Sequence, residues 1–472
     1  MALSGGPGPL HRQLARSIAG AIERGELERG ARLPAERALA ASVPVSRGTA
    51  VAAYDLLMAD GLVERRRGSG TFVLGAGVLG LPPGREGSAL VHRLVDRSAS
   101  ASDVVDLSIS VLHDAAGLPS LTVSTDDLAD TGYSPWGLPS LRAALAAHVT
   151  SWGLPTTAEQ IVVTTGAQQG IAAAAACWVR PGDVVAVDDP TYPGAIAAFT
   201  AAGARLVGMR VDGAGVVPDS VERALAEAPS LVYLQSTLHS PTGVVLSGGR
   251  REAIASLLRE ARVPVVEDCA LHDLAWSPAD VPPPLASWLG DGSVAVVGSL
   301  SKVLWGGLRV GFVRAPEPVA LRFARVKATH DLGSSVVSQV LADRLLRDAS
   351  LVSWRCSQLR ERYDVLAGEL RRGLPSWTWD EPAGGLSLWV RIGADAEPFA
   401  QRALEHGVAV ATAQPLSPTP GAHVDRVRLS FAASPEELVE GVRRLSSAWA
   451  TDFGTHMHQA SSTSSRISSS SS

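Results

Sequence analysis

Only two lysines stand among the 42 basic side chains of this sequence, and one of them is Lys302, in the run Ser299-Leu300-Ser301-Lys302. Arginine is always protonated and forms no imine. A lysine that is desolvated or crowded by cations loses its proton and attacks an aldehyde. The surroundings of Lys302 suit that use. Ser299 and Ser301 offer hydroxyls, and Arg309 follows in Gly306-Gly307-Leu308-Arg309-Val310-Gly311-Phe312. Hydroxyls and an arginine around an imine-forming lysine supply a covalent anchor and a phosphate clamp.

Three more segments carry residues with a use beside such a lysine. Thr165-Gly166-Ala167-Gln168-Gln169 follows an apolar run and opens a helix, whose first N–H groups can hold a phosphate. Asp188-Asp189-Pro190-Thr191-Tyr192-Pro193 places Tyr192 where an aromatic ring could stack on a flat ligand. Glu267-Asp268 offers a carboxylate for a protonated pyridine nitrogen. Each segment alone is a loop with turn residues. Together, in this order, they meet the needs of pyridoxal 5'-phosphate (PLP).

The elements that must position these residues are strands alternating with helices. Apolar, β-branched runs occur at Ile161–Thr164, Val184–Val187, Leu231–Leu234, Val263–Val266 and Val294–Val297, with helical stretches between most of them. That pattern predicts an α/β domain with a mostly parallel central sheet, its ligand residues at the carboxyl ends of the strands. Later runs at Leu386–Val390 and Val427–Phe431 suggest a smaller C-terminal α+β subdomain. Ile171 to Val179, the longest apolar run, is Ala-rich and reads as a buried helix rather than a membrane span. Cys177, Cys269 and Cys356 are odd in number and lack metal-ligand spacing, which predicts reduced thiols in a cytoplasmic protein and no metal.

The N-terminal stretch differs. Residues 1–74 hold ten arginines against seven acidic residues, although the whole chain has a net charge of -5. Leu10, Leu14, Ile18 and Ile22 predict a first helix, and Pro34-Ala35-Glu36-Arg37 opens a short second one. Ser46 caps a third, whose inward face is Val51, Tyr54, Leu57 and Met58. Ser46, Arg47 and Thr49 are then exposed at its start, suited to bases and phosphates. Gly61 to Val73 predicts a two-stranded wing with Arg65, Arg66 and Arg67 on one strand and a Gly68-Ser69-Gly70 tip. Gly75 to Ser88 is rich in Gly and Pro and reads as a linker. The expected organisation is a DNA-binding head at 1–74, a linker at 75–102, an α/β body at 103–455 and a disordered Ser-rich tail at 456–472.

Residues 9–73 resemble the winged helix-turn-helix of the GntR regulators, through Leu33-Pro34-Ala35-Glu36-Arg37-Ala38-Leu39-Ala40, Val45-Ser46-Arg47-Gly48-Thr49 and Gly68-Ser69-Gly70-Thr71-Phe72. That resemblance implies that Arg37, Ser46, Arg47 and the wing, with Ser69, reach operator DNA. Residues 105 to 450 resemble the fold-type I aminotransferases, through Gly132-Tyr133-Ser134-Pro135-Trp136-Gly137, Thr165-Gly166-Ala167-Gln168-Gln169, Pro241-Thr242-Gly243 and Ser299-Leu300-Ser301-Lys302. The fusion of the two is similar to the MocR regulators. By this resemblance Lys302 forms the Schiff base, Asp268 meets the pyridine nitrogen and Tyr192 stacks. Gly166, Ala167, Gln168, Ser299, Ser301 and Arg309 hold the phosphate, Tyr133 reaches the phosphate of a neighbouring subunit, and Arg428 takes an amino acid's carboxylate. A homodimer is implied.

Two positions depart from the aminotransferase pattern. Ser240 stands where asparagine is usual and Ala270 where tyrosine is usual, so the cofactor's phenolic oxygen has fewer partners. Ser240 could still reach it through water; Ala270 could not. His239 or His272 could substitute. The departures favour a PLP-binding transcriptional regulator that responds to PLP or to an amino acid or amine. A catalytically active aminotransferase with a DNA-binding head is the alternative, and a cofactor-free dimerising scaffold the third reading.

Overall fold

The computed structural model describes residues 9–23, 27, 30–43, 45–59, 62–66, 70–73, 103–112, 117–129, 131–290, 292 and 294–452. The predicted linker and serine tract, together with Arg67 and Ser69, lie outside these residues. The chain divides near residue 87 into two compact units.

In the first unit, helix α1 (Leu10–Glu23) packs Leu14, Ile18 and Ile22 into a small core, while Leu10, expected on that stripe, is 49% exposed at the first turn. Helices α2 (Glu36–Ser42) and α3 (Arg47–Ala59) close the core with Leu39, Ala50, Ala53, Tyr54 and Leu57. The inward face of α3 therefore centres on Ala50, Ala53, Tyr54 and Leu57; Val51 and Met58, placed on it by the sequence pattern, are only half-buried. Small alanines bring the helices close, a signal that a count of large apolar residues overlooks. Strands β1 (Val63–Arg66) and β2 (Gly70–Val73) pair antiparallel as the wing. The backbone at residues 30–33 adds to it, with Leu33 N donating to Thr71 O at 2.8 Å and Val73 N to Ala31 O at 2.9 Å.

The second unit is built on an eight-stranded sheet, in the order β4 (Ile161–Thr164), β11 (Gly311–Arg314), β10 (Val294–Ser299), β9 (Val265–Asp268), β8 (Leu231–Leu234), β5 (Val184–Asp189), β6 (Arg205–Asp212) and β7 (Gly215–Val216). Strands β10, β9, β8, β5 and β6 run parallel, whereas β11 is antiparallel to both its neighbours. All four residues of β4, β8, β9 and β11 are buried, which explains their unbroken apolar character. Helices α4 (Pro139–Ser151), α5 (Ala167–Trp178), α6 (Pro193–Ala201), α7 (Pro218–Ala226) and α8 (Gly248–Ala261) alternate with the strands. Helix α5 buries Ile171, Ala173, Ala174 and Ala175 against the sheet.

Helix α9 (Ala286–Leu289) and the single turn α10 (Leu300–Val303) flank β10, and α11 (Glu317–His330), α12 (Val336–Leu346) and α13 (Ala349–Gly373) follow β11. The C-terminal part holds β12 (Ser387–Arg391), β15 (Arg426–Ser430) and β14 (Ala411–Thr412) in one small sheet. Helices α14 (Ala396–Glu405) and α15 (Pro435–Asp452) cover it. Strand β13 (Val408–Ala409) pairs in parallel with β3 (Val105–Asp106), which fastens the first described segment of this unit onto the small sheet's neighbourhood. Among the described residues, no helix is long and apolar enough to cross a membrane.

Candidate functional site

Sheet register brings the predicted residues to one edge. Gly311 opens β11 with Thr164 opposite it on one side and Ser299 on the other. Asp268 ends β9, opposite Val297. The loops carrying Thr165–Gly166, Ser299–Lys302 and Asp268 therefore leave from the same, carboxyl, edge. A Cβ on Gly311 would lie 2.6 Å from Gly298 O and 2.8 Å from the Gly166 backbone, so only glycine allows this approach.

Lys302 sits in the turn α10 directly after β10. Its Nζ donates to Ser110 O at 2.7 Å. Desolvation, then the Arg428 charge, and less strongly that of Arg309, bring the lysine down to about 8, against an opposing pull from Asp268. Roughly a tenth of the amine is neutral at pH 7 on that value, against roughly a few parts in ten thousand for an ordinary lysine. Asp268, 6% exposed, accepts from the Tyr233 hydroxyl at 2.6 Å and from Ala270 N at 2.9 Å. Burial raises its pKa, and those two hydrogen bonds act the other way. A cationic ring nitrogen beside it would favour the ionised form again.

The opposite end gathers donors suited to a phosphate. Helix α5 starts at Ala167 after Gly166, whose φ of +114° and ψ of 171° suit glycine alone, and no side chain caps the helix. The first N–H groups of a helix have no intrahelical acceptor, so those of Ala167 and Gln168 face whatever lies before it. Arg309 stands in a left-handed conformation and donates from Nη2 to Thr165 O at 2.8 Å. A Cβ on Gly166 would come within 3.2 Å of that guanidinium. Ser301 Oγ is buried without a hydrogen-bond partner, and Ser299 is 7% exposed beside it. The donors are thus an arginine, two serines and a helix start, a set matched to a phosphate dianion.

Tyr192 lies between cradle and carboxylate. Burial pushes its hydroxyl up to about 12, and the Asp268 charge adds to the shift. A Cβ on Gly194 would collide with both the Tyr192 ring and Gln168 Oε1, so glycine there lets the ring and the amide come together. Gln168 Nε2 donates to Gly194 O at 2.9 Å, so its side chain braces this loop and only its backbone N–H is left to the cradle. Tyr133 is 73% exposed and makes no part of the cleft in one chain. Arg428, on β15, is 5% exposed and donates to Ser108 O at 2.5 Å, near enough to Lys302 and Tyr192 to perturb both.

The two departures have different outcomes. Ala270 contributes through its backbone, by donating to Asp268. Ser240 is held by its backbone as well: its N donates to Gln235 Oε1 at 3.0 Å and its O accepts from Gln235 Nε2 at 3.3 Å. His239 is buried, with Nδ1 2.8 Å from Thr242 Oγ1, and burial takes it down to about 4, so it is neutral near pH 7. His272 stacks on Trp152 at 4.3 Å and also falls to about 4 through burial.

Tyr233, Gln235 and Ser110 are the site residues that sequence reasoning missed. Tyr233 was hidden inside an apolar run as a core aromatic; its position one residue before the strand's end was the available signal.

In the first unit, Ser46 Oγ accepts from Thr49 N at 3.0 Å and lies 2.8 Å from Thr49 Oγ1, which makes Ser46 the cap the sequence predicts and ties its hydroxyl to Thr49. Arg37 and Arg47 are exposed. Arg65 pairs with Glu36 at 3.1 Å and Asp55 at 3.2 Å, so it fastens the wing to α2 and α3. The side chain of Arg66 is outside the described residues. Arg32, unmarked in the sequence, runs beside the wing, close enough that a Cβ on Gly70 would meet its Nε at 2.9 Å.

Comparison with known proteins follows the same division. Residues 102–445 match the family described as aminotransferase class I and II, and residues 10–73 match bacterial regulatory proteins of the gntR family. The chain is 29% identical over 471 residues to the uncharacterized HTH-type transcriptional regulator YdfD of Bacillus subtilis (strain 168), covering 93% of this chain and 95% of that protein. It is 29% identical over 418 residues to the probable rhizopine catabolism regulatory protein MocR of Rhizobium meliloti, covering 81% and 82% respectively. Among solved structures, LysN, the alpha-aminoadipate aminotransferase of Thermus thermophilus, complexed with N-(5'-phosphopyridoxyl)-L-leucine, superposes with a TM-score of 0.67. The identity is 26%, covering 76% of this chain and 94% of that one.

Proposed function

The chain belongs to the aminotransferase class I and II family, with a gntR-family head in front in the MocR arrangement, and from that premise we propose a PLP-binding transcriptional regulator that responds to an amino acid or amine. The head binds double-stranded operator DNA, and PLP is the cofactor of the body. When bound, PLP supplies an aldehyde for amines and an electron-withdrawing ring. The protein's residues do the rest. Lys302 provides the attacking amine, Asp268 with Tyr233 behind it faces the ring nitrogen, Tyr192 covers the ring, and Ser299, Ser301, Arg309 and the start of α5 hold the phosphate.

One observation carries the response to an effector. Lys302 and Arg428 donate to Ser110 O and Ser108 O, two carbonyls of one segment, and that segment is the first described stretch after the linker. Lys302 would leave Ser110 O for bound PLP, and Arg428 would leave Ser108 O for the carboxylate of an amino acid whose amine reacts with the cofactor, displacing Lys302. An amino acid therefore makes contacts in one state that it lacks in the other, as a switch requires. The body of such a protein acts as a homodimer in the cytoplasm, with two heads on a two-part operator.

Turnover as an aminotransferase is the second reading, favoured by the lowered pKa of Lys302. Ala270, which brings no side-chain donor to the phenolic oxygen, and Ser240, which stands in place of the usual asparagine, weigh against it. The purified protein separates the readings. The regulator requires a visible absorbance band with PLP that disappears in Lys302→Ala, and a gel shift on the DNA upstream of its own gene that changes with one member of an amino-acid panel. Sustained keto-acid formation over many turnovers would establish the enzyme instead. A colourless wild type that shifts no DNA would overturn both.

A further inference from the structure

The second lysine of this arginine-rich chain is as informative as the first. Lys327, on α11, is 2% exposed, and desolvation lowers its pKa. Its Nζ donates to Gln169 Oε1 at 3.1 Å, to Asp331 Oδ1 and Oδ2 at 2.9 and 2.7 Å, and to Ser334 Oγ at 3.0 Å. Gln169 lies at the start of α5. Its Oε1 also accepts from Thr165 N at 2.9 Å, and its Nε2 donates to Asp331 Oδ2 at 2.7 Å. Thr165 O in turn accepts from Arg309. The residue before the Gly166 turn is thereby gripped at both ends, by Gln169 at its N–H and by Arg309 at its carbonyl. Lys327 and Asp331 fix which way the Gln169 amide faces.

We propose that Lys327 is a positioning residue that holds the Thr165–Gly166 turn in its phosphate-receiving form through Gln169 and Asp331. The inference rests on the PLP reading and goes beyond it. A compact ammonium with three N–H donors meets four oxygens in this closed space, which the larger planar guanidinium of arginine does not fit. That geometry is a physical reason for lysine at a second place where the chain otherwise uses arginine. The same network runs onward to the loop that carries Tyr133. Gln339 Nε2 donates to Ser334 O at 2.9 Å, and Gln339 Oε1 accepts from Leu138 N at 2.7 Å. Gly333 packs so closely that a Cβ there would meet Gly132 O at 2.9 Å.

The test compares PLP with pyridoxal, which has the aldehyde and ring but no phosphate. Both are titrated by absorbance into full-length wild type, Lys327→Met and Asp331→Asn, and each variant's far-ultraviolet circular dichroism is recorded. Loss of a charge-assisted hydrogen bond that orders the cradle lowers PLP affinity roughly tenfold in Lys327→Met and by less in Asp331→Asn. Pyridoxal affinity stays at the wild-type value, so the PLP-to-pyridoxal ratio falls. Inorganic phosphate should also compete less well in both variants. An equal loss for PLP and pyridoxal means a general structural role and overturns the proposal, as does an unchanged ratio in either folded variant. Should Lys327→Met not fold, Asp331→Asn, which changes a partly exposed side chain, decides the matter alone. A wild type that binds neither compound refutes the PLP reading itself.

Discussion

On the proposed reading, helix α3 of the head and helix α5 of the body both meet phosphates with their first turns, and they are built in opposite ways. At α3 a serine caps the helix, Ser46, Arg47 and Gly48 are exposed, and Arg37 stands on the surface of α2. At α5 the turn begins on a positive-φ glycine with no side-chain cap, Arg309 grips the preceding carbonyl of Thr165, and Gln169, held by Lys327, grips its N–H. A long polyanion contacted at many points needs no single strong site, and it must leave when conditions change. A small cofactor contacted once must be held by groups already in place. The cap satisfies a helix start that would meet DNA only intermittently. Its absence at α5 leaves donors reserved for one ligand.

The strongest way to break this contrast is Gly166→Ala. The alanine enters a backbone region that only glycine populates easily and moves towards Arg309, a strain on the order of 1–3 kcal/mol. PLP affinity, followed by absorbance titration, should fall about ten- to a hundredfold, while DNA binding by the apo protein stays unchanged. Arg47→Ala should do the reverse. Operator affinity in gel shifts falls about tenfold, the salt dependence flattens by about one phosphate contact, and PLP titrations do not move.

Arg428→Gln sharpens the electrostatic side. The Arg428 charge depresses Lys302, so its removal raises the lysine's pKa above about 8. Only the neutral amine attacks, so the rate of covalent capture climbs with pH and levels above the pKa. Stopped-flow absorbance should therefore find the midpoint displaced to higher pH in the variant; an unmoved midpoint would show that Arg428 acts on carboxylates alone. Ser46→Ala is the smallest effect. It should destabilise the head by about 1 kcal/mol in urea unfolding followed by circular dichroism.

Much of this contrast was legible in the sequence because the residues involved are those whose types are restrictive. Lys302, Asp268, Gly166 and Arg309 each have few reasons to occupy a strand end, and Ser46 announces a cap. Strand β11 was not legible. Gly311–Arg314 is a short buried run without periodicity, and it inserts antiparallel between β4 and β10, so the cradle strand and the lysine strand are second neighbours. Strand β6 escaped for a related reason: Arg205–Asp212 mixes charged and apolar residues with no clean alternation. The roles of Gln235 and Lys327 depend on contacts between residues far apart in the chain, which spacing does not encode. Ser110 acts through its backbone carbonyl, and no side-chain pattern could have pointed to it.

On the proposed reading, the neighbouring carbonyl of Ser108 makes the segment a tethered competitor for Arg428, the cation an amino acid's carboxylate would use. A competitor carried on the same chain has a fixed effective concentration, undiluted by the cell. The apparent affinity for such an effector would then be the intrinsic affinity scaled by the fraction of molecules in which Arg428 is released. Weakening the grip on Ser108 would lower the dose that triggers a response, and strengthening it would raise the dose, without any change to the residues that hold the cofactor. On that reading, sensitivity and selectivity would be set by different atoms.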